Sequence, residues 1–117
     1  MRNFKELKIW QKGYEIAVES FRLTNGFPAQ EKYSLISQIN RSAVSISSNI
    51  AEGSSRTSEK DYNRFLEIAL GSSFELETQL LISGSLKYGD EELRNQILIK
   101  VDEEQKMIMS FMKKLNT

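Results

Sequence analysis

ISQINRSAVSISSNIAEG, residues 36–53, is the stretch that decides the fold. Ile36, Ile39, Ala43, Ile46 and Ile50 recur at alternating steps of three and four, which puts a narrow apolar seam on one face of a helix. Most of the remaining positions are small and polar: Ser37, Ser42, Ser45, Ser47, Ser48 and Asn49. A solvated helix face usually carries Lys and Glu, which form helix better than Ser does. Serines in their place point to a helix crowded on more than one side.

The same spacing extends in both directions. Upstream, a helix is predicted over residues 4–24, with Leu7, Trp10, Tyr14, Ala17 and Phe21 as its seam. Asn25-Gly26 ends it, with Gly26 in the left-handed C-terminal position and Pro28 just beyond. The central helix covers residues 32–52 and is closed by Gly53. A third helix starts at Ser58, whose hydroxyl caps it, and ends near Tyr88-Gly89. It carries Tyr62, Phe65, Leu66, Ala69, Leu70, Ser73, Leu76, Leu80 and Leu81, a broad apolar face. Asp90 caps the fourth helix, where Glu91 and Glu92 favour the N-terminal dipole and Lys113 and Lys114 the C-terminal one. Its seam is Ile97, Val101, Glu104, Ile108, Phe111 and Leu115. Nothing alternates with period two over strand length. The expected fold is therefore all-α, an antiparallel up-down-up-down four-helix bundle in one domain over residues 1–117.

Composition narrows the function. Hydrophobic residues at 39% and charged residues at 27% are enough for a folded core. The absence of cysteine rules out disulfides and thiolate metal sites, and the absence of histidine removes the usual general base and the commonest metal ligand. No phosphate-binding glycine loop occurs, so neither a cofactor nor an enzyme is expected. No apolar run is long enough to cross a membrane, and the charges spread through the N-terminal residues do not fit a secretory signal; a cytoplasmic protein is expected. Net charge is zero, but residues 1–64 hold ten Lys/Arg against seven Asp/Glu, and residues 65–117 hold six against nine. A basic end of this kind can meet RNA or the acidic half of another subunit.

Three blocks carry a resemblance: FKELKIWQKGYEIAVESF at 4–21, SAVSISSNIAEGSSR at 42–56 and RFLEIALGSSFELETQLL at 64–81. Together they make the chain similar to the 23S rRNA intervening sequence proteins. That resemblance implies a four-helix bundle with no established catalysis, often encoded within insertions in large-subunit ribosomal RNA genes. It also implies likeness to the accessory proteins of diversity-generating retroelements, which form a pentameric ring that contacts RNA and a reverse transcriptase. A homo-oligomer is expected on this basis, with RNA or another protein as partner.

Four features are candidates for function. Lys5, Lys8 and Lys12, with Arg2 nearby, form a basic stripe on the first helix that would contact phosphates, or serve only as a solvated face. Arg41, Asn49, Glu52, Arg56 and Arg64, with Glu75 and Glu77, form a polar set. One reading is a Glu52–Arg ion pair locking the corner between the second and third helices; the other is a polar pocket for RNA or a partner helix. The aromatics Phe4, Trp10, Tyr14, Phe21, Phe27 and Tyr33 are expected in core or subunit packing rather than in base stacking. Gly13 and Gly71, each inside a helix, mark either close helix approach or a point where a partner backbone presses in. The surplus apolar stripe of the third helix and the small residues of the second both suit a subunit interface.

Overall fold

In the computed structural model, which describes residues 3–116, continuous helix begins only after Leu7. Phe4–Glu6 form a single 3-10 turn, capped by the Asn3 carboxamide, which accepts from the Lys5 amide at 3.2 Å. Leu7 is extended (φ −74°, ψ 128°), so the predicted helix over 4–24 divides there. Four helices follow: α1 (Lys8–Thr24), α2 (Ser37–Ser54), α3 (Glu59–Ser85) and α4 (Glu91–Leu115). A 3-10 turn (Ala29–Glu31) and a π-helical turn (Lys32–Ile36) lead into α2, so the regular helix starts later than residue 32. Ser58 caps α3 by accepting from the Asp61 amide at 3.1 Å, and Asp90 caps α4 by accepting from the Leu93 amide at 2.8 Å.

Each helix packs on two others: α1 on α2 and α4, and α3 on α2 and α4. α1 and α3 therefore occupy diagonal corners, an arrangement that agrees with an up-down-up-down bundle. The molecule measures 44 × 23 × 20 Å, its length set by α3, whose 27 residues span about 40 Å at the helical rise. The core holds Ile39, Ala43, Ile46 and Ile50 of α2, Leu66, Leu76 and Leu80 of α3, and Ile97, Val101 and Ile108 of α4.

The predicted seam of the first helix is displaced in part: Leu7, Trp10 and Ala17 pack half-buried against the core, but Tyr14 and Phe21 do not. The buried side of α1 is Ile9, Gly13, Ile16, Ser20 and Leu23, whereas Tyr14 is 55% and Phe21 47% exposed. Seven-residue steps from Ile9 to Ile16 to Leu23, with small Gly13 and Ser20 between them, let α1 sit close to its neighbours. The aromatics flank this stripe: Phe4, Trp10 and Tyr14 form a chain of rings with successive centroids 5.3 Å apart. Phe27 is buried against Tyr88, while Tyr33 points outward beneath the Lys32 ammonium.

Two glycines act differently from expectation. Among the described residues only Lys87 (φ 60°) and Gly89 (φ 74°) have positive φ, so neither Gly26 nor Gly53 provides a left-handed stop. The left-handed C-terminal position of α3 falls on Lys87 instead. There the Tyr88 amide donates to the Ser83 carbonyl and the Lys87 amide to that of Gly84, closing the helix in a Schellman arrangement. Arg94, buried on α4, reinforces this turn by donating from Nη1 to the Tyr88 carbonyl at 2.8 Å.

Candidate functional surfaces

The serines of α2 serve its packing against α3. Ser42 Oγ donates to Gln79 Oε1 at 2.7 Å, and the Ser45 and Ser72 hydroxyls share a hydrogen bond of 2.8 Å. Asn49 donates from Nδ2 to the carbonyl and hydroxyl of Ser45, so its amide is spent holding this network. The crowding read from the sequence is thus an intramolecular helix contact along one side of α2. The other side stays open. There Phe21 of α1 and Val44, Ser48, Arg41, Asn49 and Glu52 of α2 line a shallow groove of about 540 Å³. With Tyr14 and Val18 also exposed, the α1 corner is aromatic and apolar at its surface.

The outer side of α3 is the second such surface. Ile68, Phe74, Leu81, Ile82 and Leu86 are all exposed, so Leu81 of the predicted apolar face lies outside the core. Gly71 lies among them, and a Cβ built there meets nothing within 4 Å. Gly71 therefore makes no close helix approach within the chain; Gly13 does, against Glu104 and Ile46.

The predicted polar set divides between two places. Arg41, Asn49 and Glu52 belong to the α1–α2 groove. Arg56 and Arg64 sit at the α2–α3 corner with Asp61, Phe65 and Ile68. Arg56 Nη2 lies 3.9 Å from Glu52 Oε1, with both side chains well exposed, and its guanidinium covers the Phe65 ring at 4.6 Å. An exposed pair at that separation contributes under about 1 kcal/mol, and α2 and α3 also approach closely here at Gly53. Glu77 belongs to the α3–α4 contact, where it accepts from Gln105 at 2.8 Å.

The basic stripe is also rearranged. Arg2 lies outside the described residues. Lys5 is exposed but sits in the 3-10 turn ahead of α1, so it does not share a helix face with Lys8 and Lys12. Lys8 is exposed on the first turn of α1. Lys12 pairs with Glu103 of α4 at 2.9 Å, and Lys100, about one turn before Glu103, pairs with Glu19 of α1. The hydrogen bond to Glu19 raises the Lys100 pKa above its ordinary value. These two pairs bracket Glu104, which is fully buried with no hydrogen-bond partner on either carboxylate oxygen. Burial pushes its pKa up to about 8, partly offset by the Lys12 ammonium. Residue 104 is a seam position, and a charged residue at such a position is the signal by which its burial could be read from sequence.

The fold and these surfaces define a small all-α four-helix bundle whose notable features are open faces: an aromatic corner, an apolar helix side and a scattered set of lysines. Residues 5–110 match the 23S rRNA-intervening sequence protein family, and the chain belongs to that family. It is similar to the solved structure of a protein of unknown function from the S23 ribosomal protein family of Bacteroides thetaiotaomicron VPI-5482. The two share 29% identity with a TM-score of 0.79, over 90% of this chain and 98% of that one. None of the curated proteins matches the chain. No helix among the described residues is long and apolar enough to cross a membrane.

Proposed function

We propose that this protein is a non-enzymatic, cytoplasmic scaffold that assembles head to tail with copies of itself. The observation that carries the reading is the presence of two different apolar surfaces on diagonal corners: Tyr14, Val18, Phe21 and Val44 at the α1 corner, and Ile68, Phe74, Leu81 and Ile82 along α3. Apolar surface of this kind on a small protein marks an interaction site. Two unlike surfaces that pair with each other make a heterologous contact, which closes into a ring when the rotation allows. Five subunits is the number the family resemblance implies.

The test uses native mass spectrometry on Phe21→Asp, on Phe74→Asp and on their mixture. Wild type gives a closed oligomer and each variant alone gives monomer. The mixture gives a dimer with one copy of each, because one intact α1 corner then meets one intact α3 face. A monomeric wild type sinks the proposal, as does a variant that still forms homodimers.

A second reading places RNA at the basic end. Lys5 and Lys8 are exposed there, and a ring would repeat them around its circumference. Labelled structured RNA should bind at low salt, weaken steeply towards physiological salt, and fail to bind a variant with Lys5, Lys8 and Lys12 all changed to Glu. Equal binding by that variant excludes this surface.

A further inference from the structure

Between the start of α1 and the C-terminal half of α4 lies an open cleft of about 460 Å³, on a side of the bundle that neither apolar corner uses. Its floor is Leu7, Ile9, Met107 and Phe111, side chains packed on the core beneath. Its rim carries Lys8, Lys106 and Lys114, opposed by the carboxylate of Glu6. Lys106 also meets Asp102 one turn earlier at 3.0 Å, with both side chains largely exposed. A surface pair of that kind is weak, so an incoming carboxylate can compete for the ammonium. The helix end bordering the cleft is electropositive too. Leu7 holds the N-cap position of α1 without a side-chain acceptor, and the first turn of α1 contains no acidic residue.

We infer that this cleft docks an acidic amphipathic helix from a partner protein. The floor selects the apolar side of the partner, and its volume falls in the range of clefts that enclose small groups, enough for a pair of large side chains. Met107 suits a surface that must adapt to its occupant. The rim selects the charge: Lys8, Lys106 and Lys114, together with the N-terminus of α1, outweigh the carboxylates of Glu6 and Asp102, so Glu or Asp beside the apolar anchors is favoured and Lys or Arg repelled. Helix-in-groove recognition has this form, with anchors three or four residues apart and polar residues at the edges. Nucleic acid fits less well, because it offers no aliphatic group to a floor made largely of Leu, Ile and Met. The inference stands independently of self-assembly.

The probes are fluorescent helical peptides with two Leu or Phe anchors at i and i+4, flanked by Glu, by Gln or by Lys. They are titrated against the full chain, with the Met107 methyl signal followed by NMR. The Glu-flanked peptides should bind at least tenfold more tightly than the Lys-flanked ones and should shift the Met107 signal. Changing both Lys8 and Lys106 to Glu should abolish or reverse the preference; Lys113→Glu, outside the cleft, should leave it intact. Because all three lysines are exposed, these variants test the rim without threatening the fold. Absence of a Glu preference, or a preference that survives the double change, overturns the inference. So does a short single-stranded RNA that shifts Met107 more strongly than any peptide; that outcome assigns the cleft to nucleic acid.

Discussion

Glu104→Gln should raise the free energy of unfolding by about 3 kcal/mol at pH 7 and change it little at pH 4.5. In the folded bundle the Glu104 carboxyl has no hydrogen-bond partner and no solvent contact, and its pKa stands at about 8. In the unfolded chain it returns to the ordinary value of about 4.3. Between these values the native state holds a proton that the unfolded state has released. Stability therefore falls as pH rises through this window and levels off above pH 8, a total loss of about 5 kcal/mol at 1.36 kcal/mol per unit. Below pH 4 both states are protonated and the loss vanishes. Glutamine keeps the shape and cannot ionise, so the variant should show a flatter profile and diverge from wild type as pH increases. Urea unfolding from pH 4.5 to 9, with both proteins at one concentration because assembly would shift the midpoints, measures this directly. Parallel profiles for the two proteins would mean that Glu104 is charged and solvated or paired in the native state.

That residue also shows where sequence reading stopped. Position 104 reads as part of the α4 seam, and the structure buries it there with Ile97, Val101 and Ile108. Periodicity gives the face of a residue but not its solvation, so the buried charge was visible as a pattern and silent as chemistry. The start of α3 at Ser58 and of α4 at Asp90 was legible because a capping side chain is a local signal. The orientation of α1 was not. Trp10, Tyr14 and Phe21 make the larger apolar stripe, yet the core takes Ile9, Ile16 and Leu23, which leave space for close neighbours at Gly13 and Ser20. Hydrophobicity alone ranks the aromatic stripe first; the packing distance between helices decides against it, and that distance is a tertiary quantity. The lysine stripe failed for a related reason. Leu7 breaks the helix between Lys5 and Lys8, and Glu103, some ninety positions away in sequence, claims Lys12.

Two glycines inside helices, Gly53 and Gly71, should respond in opposite directions to the same methyl group. At Gly71 a Cβ meets nothing within 4 Å, so alanine brings only its helix propensity, a gain of about 1 kcal/mol. At Gly53 the added carbon would lie 2.7 Å from Phe65 Cβ, 3.1 Å from Tyr62 Cδ1 and 3.3 Å from the Tyr62 carbonyl oxygen. None of these atoms is the free end of a flexible chain. Phe65 Cβ is tied to the α3 backbone, so α2 and α3 must separate locally to admit the methyl. Overpacking of this kind costs about 1–3 kcal/mol or more. It acts on the helix pair that the Ser42–Gln79 and Ser45–Ser72 hydrogen bonds also join, and those bonds stretch with any separation. Gly53→Ala should therefore lose about 2 kcal/mol even after the propensity gain is included, and Gly53→Val should lose more. Thermal and urea unfolding followed by circular dichroism read both variants. Equal effects at the two positions would show that α2 and α3 are not in this contact. A destabilising Gly71→Ala, with normal unfolding only when the protein is diluted to monomer, would place a neighbouring subunit against Gly71 on the α3 face.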